Sequence, residues 1–174
     1  MPDGTKVPSP RRSSFLRTTR PLEISLLLRP HPSGSQFDLT GPVARDLVVN
    51  ALLDQGYRDP TKHGDIAQLR AHSRPLGFLL DDVTSLIRVP RKAARFLTQD
   101  HRLYIAPIGP YAGGGEQVLI EAHGESGEIA GLAVADALQR AMPAMMKHAM
   151  IDVGQWRESK RVLWTAVAMG ARTG

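Results

Sequence analysis

Between Pro21 and Pro30 the chain reads Leu22-Glu23-Ile24-Ser25-Leu26-Leu27-Leu28-Arg29. Leu22, Ile24, Leu26 and Leu28 recur at period two, the spacing of side chains along one face of a strand. A strand cannot satisfy its own backbone groups, so this run demands a sheet and excludes an all-helical fold. The next regular pattern has the other period. From Pro42 to Gln55, Val43, Leu47, Val48, Ala51 and Leu52 fall on one helical stripe, and Gly56 supplies a C-terminal stop. Between the two, Arg29 to Ser35 carries two prolines and a glycine and reads as a loop.

Further along, a short helix is expected from Asp65 to Ser73, with Asp65 as its N-cap ahead of Ile66 and Leu69. Leu76 to Leu80 and Thr84 to Val89 read as a hairpin turning at Asp81-Asp82-Val83, and Arg91 to Gln99 as a helix. Arg102 to Ile108 and Gln117 to Ile120 read as two strands, joined by a loop whose tip is Gly113-Gly114-Gly115. A long helix is predicted from Gly127 to Met150, kinked near Pro143, and a last amphipathic helix from Gln155 to Met169. The order β, α, α, β, β, α, β, β, α, α predicts an α+β fold, a ferredoxin-like open sandwich with a mainly antiparallel sheet and helices on one face. The 174 residues, 42% of them hydrophobic, suffice for one domain with tails. The divisions are a basic Pro/Ser-rich tail (1–20), the α+β domain (21–138) and a C-terminal helical extension (139–174).

Charge is unevenly placed along the chain. Lys6, Arg11, Arg12, Arg17, Arg20 and Arg29 face only Asp3 and Glu23, so +4 of the formal +5 falls within the first 30 residues. The rest is nearly neutral and poor in aromatics, which leaves the basic tail as the expected contact for nucleic acid. The tail also has the Arg- and Ser-rich character of an organellar presequence, and no apolar segment follows Met1 as a secretory signal would require. The apolar stretch from Ile129 to Met150 is broken by Asp136, Gln139, Arg140, Pro143, Lys147 and His148, so no membrane span and no membrane partner is expected.

With no cysteine, disulfides, Cys-ligated zinc and a cysteine nucleophile are excluded. His123-Gly124-Glu125-Ser126-Gly127 groups an imidazole, a carboxylate and a hydroxyl, but Glu128 stands where a nucleophile elbow needs its last glycine. Ser126 reads better as a helix cap, with Glu125 and Glu128 favouring the positive helix N-terminus. The Gly113 triplet lacks the Lys-Ser/Thr of a phosphate loop. His63, Asp65 and His72 lack metal-ligand spacing, and Asp81 and Asp82 read as solvated turn residues. Met142, Met145, Met146 and Met150 form one soft apolar stripe suited to a core. The expectation is no catalytic centre, no metal and no cofactor.

The ends point to partners instead. Trp156, Val162, Leu163, Trp164, Val167 and Met169 are too many large apolar groups for an exposed tail, and tryptophan is enriched among interface anchors. Arg11, Arg12, Arg17, Arg20, Trp156, Leu163 and Trp164 are therefore the expected partner contacts.

Several segments, in order, resemble the N-terminal prosegment of the sedolisin, or kumamolisin-like, serine-carboxyl peptidases. PLEISLLLRP at Pro21 to Pro30 is similar to that family's "LEVTVLLRP" strand. Gln55-Gly56-Tyr57-Arg58-Asp59-Pro60 is similar to its "YGADP" turn after a helix. Tyr111 to Ile120, followed by Glu128 to Leu138, echoes its glycine-bearing strand and "ELAG" helix. The resemblance covers about residues 5–138. It implies a non-enzymatic protein-binding domain that inhibits a peptidase and assists its folding. The chain departs from the family at Glu121 to Gly127, an insertion, and after Leu138, where the family runs into its active-site linker. It also lacks the Ser-Gly-Thr nucleophile motif and a following peptidase domain, so no peptidase activity is expected. The alternative is a structural subunit of a larger assembly, a virion or a multiprotein complex, with both termini as subunit contacts.

Overall fold

The computed structural model describes residues 5–10, 20–32, 38–71, 101–124 and 127–171. Its elements are β1 (Leu22–Arg29), α1 (Gly41–Asp54), β2 (Arg58–His63), β3 (Ile66–Ala71), β4 (His101–Pro110), β5 (Glu116–His123), α2 (Gly127–Met145), β6 (Met150–Val153), β7 (Arg157–Glu158) and α3 (Val162–Gly170). The strands form one seven-stranded sheet in the order β2-β3-β4-β5-β1-β6, with β7 also paired to β1, and every pairing is antiparallel. The architecture is an α+β open sandwich.

Strand alternation divides the sheet into two unlike faces. On the first face Ile24, Leu26, Leu28, Leu69, Leu103, Ile105, Val118 and Ile120 are buried beneath α1 and α2, which contribute Val48, Leu52, Val134, Leu138, Met142 and Met145. Two of the four methionines of the stripe are thus core residues, while Met150 sits exposed on β6. The core also encloses one polar pair, Tyr57 and His101, sharing a hydrogen bond of 2.9 Å with their rings edge-on. Arg45, buried on α1, donates to Asp46 and to the carbonyl of Asp65, tying the helix to the β2–β3 turn.

The β4–β5 hairpin closes with Tyr111 N–H donating to the Gly115 carbonyl. Gly115 has φ +102, and a Cβ there would run into the Leu28 carbonyl. Only glycine lets this turn lie against β1.

Several expectations change. Residues 66–71 are a strand, not a helix. Ala67 and Leu69 are buried on the first face while Ile66, Gln68 and Arg70 alternate away from it, and pairing with β4 overrides the helical propensity of Ala-Gln-Leu-Arg. Asp65 lies beside Gly64 (φ +61) in the turn that feeds this strand and is not a helix cap. The preceding residues form edge strand β2, where Pro60 is tolerated because an outer strand lacks a neighbour on one side. The long helix passes through Pro143 but stops at Met145, and residues 150–153 return as a strand on β1.

The last predicted helix loses its first turns, because Arg157 and Glu158 pair with Glu23 and Leu22 and α3 starts only after Arg161, held at φ +56. Part of the N-terminal tail also packs. Val7 joins the core and donates its N–H to Gln139 Oε1 (2.7 Å), so this stretch offsets its ordering cost with burial and hydrogen bonds that the sequence reading did not assign to it. The predicted hairpin at 76–89 and the helix at 91–99 lie outside the described residues.

Candidate functional site on the second face of the sheet

The second face carries the polar positions of the alternating strands, and α3 lies over part of it. A small apolar cluster of Tyr104, Ala106, Leu119 and Leu163, with Ile66 and Val167 against it, seats the helix. Beside that cluster two carboxylates stand directly opposite each other across β1 and β5, Glu23 and Glu121, both fully buried. Like charges facing each other across strands repel, so each needs its own donors. Glu23 Oε1 accepts from Arg157 Nε (2.5 Å) and Oε2 from the Lys160 N–H (3.3 Å). Glu121 Oε1 accepts the N–H of Leu163 (3.0 Å), and Oε2 accepts the N–H of Trp164 (3.2 Å) and His123 Nε2–H (3.1 Å).

Leu163 and Trp164 are the second and third residues of α3, whose N–H groups have no partner within the helix. An N-cap side chain ordinarily serves them, but Arg161 supplies no such bond. Glu121 takes that role from across the fold, and its negative charge lies where the helix dipole is positive. Burial pushes the Glu121 carboxyl up, but the His123 hydrogen bond, the two backbone N–H bonds and the charge of His123 outweigh it and hold the group below the usual glutamate value. His123 also meets the Tyr104 ring edge-on at 5.1 Å and lies nearly parallel to the Trp164 indole at 6.2 Å.

α3 reads VLWTAVAMG and contains no charged residue. Of its nine side chains only Leu163 is buried, while Val162 is 58%, Trp164 42% and Met169 61% exposed. A buried carboxylate thus fixes an apolar helix so that its outer side faces solvent. This face was illegible in sequence: a glutamate at the polar position of an alternating strand reads as solvent-facing, and nothing local marks Glu23 or Glu121 as buried.

A second feature of the same face lies one register step away. Arg58 is the partner of Arg70, Arg70 of Arg102, and Arg102 of His123, so three arginines line up across β2, β3 and β4. A tally of charge along the chain misses this row, because its members lie far apart in sequence and only the sheet brings them together.

The other predicted residues fall as follows. Trp156 is half-buried and donates Nε1–H to the Pro8 carbonyl (2.8 Å), and Leu163 is buried. Arg20 is exposed and pairs with Glu158 at 2.9 Å. Arg11, Arg12, Arg17, His72, Asp81, Asp82, Glu125 and Ser126 lie outside the described residues. Among the described residues no group of three or more His, Asp or Glu side chains converges as a metal site, and no helix is long and apolar enough to cross a membrane. A groove of about 350 Å³ between residues 5–10 and α2 is lined by Lys6, Val7, Ser9, Leu132, Ala135, Asp136 and Gln139. Its carboxylate, Asp136, is engaged by Arg140 at 3.0 Å. Comparison of the chain with family models, with curated proteins and with solved structures gives no match.

Proposed function

We propose that the chain is a non-enzymatic protein-binding domain that docks its partner on the outer side of α3. In the specific form implied by the prosegment resemblance, it is an inhibitor and folding assistant of a peptidase. The observation that carries the reading is the pairing of an uncharged, outward-facing helix with a buried carboxylate that anchors it. A helix with Val162, Trp164 and Met169 turned to solvent would fray if held only by its one buried side chain, and here two backbone N–H groups are spent on holding it. Exposed tryptophan and methionine are the side chains that anchor protein interfaces and adapt to them. The lowered carboxyl of Glu121 keeps α3 seated under mildly acidic conditions, where a serine-carboxyl peptidase would be tested.

The test is slow, tight inhibition of sedolisin-type peptidases by the full chain at acidic pH. Trp164→Ala is expected to weaken that inhibition at least tenfold while lowering stability by only about 1 kcal/mol, because the indole is already half in water. Absence of inhibition at micromolar protein would remove the peptidase role.

The assembly-subunit reading draws on Ile108 and Tyr111, exposed at the β4 end of the β4–β5 hairpin and separate from α3 in sequence. Light scattering during size exclusion separates the two, a 19 kDa monomer speaking against an obligate subunit.

A further inference from the structure

We propose that the row Arg58–Arg70–Arg102 is a binding site for the phosphates of single-stranded nucleic acid, laid across the second face of the sheet. The three residues are cross-strand partners in sequence, and neighbouring strands lie about 4.8 Å apart, so three guanidinium groups originate within about 10 Å of one another. Directly opposed like charges work against the sheet, so the row is not explained by the stability of the strands it decorates. Among the described residues none of these three guanidinium groups hydrogen-bonds or pairs with a carboxylate, whereas Arg20, Arg29, Arg45, Arg140 and Arg157 all do. Arg58 and Arg102 are exposed and Arg70 is half-buried, so the row is open to a ligand.

The ligand must bring several negative charges at short, regular spacing, and the guanidinium fork matches phosphate oxygens in pairs. What favours nucleic acid over an acidic peptide is the end of the row. Arg102 faces His123 across β4 and β5, and His123 lies under the exposed Trp164 indole. A cationic track beside an aromatic surface is the combination that binds single strands, because every base offers a flat π face whatever its sequence. Among the described residues the three arginines sit on the strands themselves, on a flat sheet face and not on a helix or ribbon that could enter a duplex groove, which favours a single strand over a double one. This site is distinct from the basic tail, and of the outer side of α3 proposed for protein docking it shares only the Trp164 indole.

The experiment is fluorescence anisotropy of labelled oligothymidylate and oligouridylate, about 12 nucleotides long, within the usual span of such sites, with the full chain at several salt concentrations. Three phosphate contacts predict that log K falls with log salt at a slope of about −2. The Arg70→Gln/Arg102→Gln variant should bind at least tenfold more weakly, with a shallower slope and a melting temperature unchanged or raised. Arg102→Gln alone, at an exposed position, should show part of the same loss if the double variant folds poorly. Arg11→Gln/Arg12→Gln/Arg17→Gln should retain the binding.

The proposal is overturned if neither oligonucleotide binds, or if the Arg70 and Arg102 variants bind like the parent. It is also overturned if the tail variant abolishes binding, if poly-glutamate displaces the oligonucleotide at equal concentration, or if inorganic phosphate does so at constant ionic strength.

Discussion

Replacing Glu121 with alanine is expected to release α3 from the sheet while leaving the first-face core folded. The substitution strands three donors at once, the N–H groups of Leu163 and Trp164 and the imidazole of His123. A buried donor left without a partner costs about 1–3 kcal/mol, and the exposure of α3 to water on release limits the total to about 3 kcal/mol. The readouts are a red-shifted Trp164 emission, in a Trp156→Phe background, and loss of helical signal before the main unfolding transition. Glu121→Gln is expected to behave as a partial version. It keeps the shape but offers one acceptor oxygen where two are used, turning an amide N–H toward a donor.

The pH dependence follows from the direction of the carboxyl's shift. The folded-state value lies below the ordinary glutamate value, so the unfolded state binds the proton first and stability falls as pH is lowered. The contribution is complete above the ordinary glutamate range and is lost as pH drops through the lowered value. Glu121→Ala and Glu121→Gln should both flatten that part of the stability profile.

Leu26→Ala is expected to be the most damaging single change in the sheet. Leu26 is fully buried in the middle of β1, opposite Val118 on β5 and Val153 on β6, at the strand that joins the C-terminal segment to the rest of the sheet. Deleting its branched end removes apolar burial and leaves a cavity that paired strands on both sides cannot close, for a cost of about 3–4 kcal/mol. For a chain of this length that corresponds to a fall in melting temperature on the order of 10 °C. Unlike Glu121→Ala, this loss should appear in one cooperative transition, with Trp164 emission and far-ultraviolet signal changing together.

The first face was written plainly in the sequence and the second was not. β1, α1, β4 and β5 follow from alternation or a helical stripe whose buried side carries the large aliphatic groups, so period alone identifies them. β3 was misread because its residues form helices well, and only pairing with β4 makes it a strand. β2 hid behind Pro60 and an exposed, charged sequence that has no buried side to reveal its period. β6 and β7 are short edge segments whose existence depends on β1 being available to pair, a fact with no local signal.

The same holds for the candidate site. Trp164 and Leu163 stood out as apolar groups in need of cover, and the structure divides them, Leu163 inward and Trp164 outward. Glu121 stood out as nothing, since its role is to cap a helix that begins 41 residues later. Charge counted along the chain placed the basic character in the tail, while sheet register gathers Arg58, Arg70 and Arg102 on the body.

The claim that a buried carboxylate seats α3 for docking is tested most directly by amide hydrogen exchange at Leu163 and Trp164 across pH. At neutral pH both amides should be protected although they belong to a short, largely exposed helix. After correction for intrinsic rates, both should lose that protection together as pH falls through the lowered Glu121 value, and both should be unprotected at every pH in Glu121→Ala. Exchange of these two amides at the rate of free peptide in the parent chain at neutral pH, or equal protection in Glu121→Ala, would contradict the account.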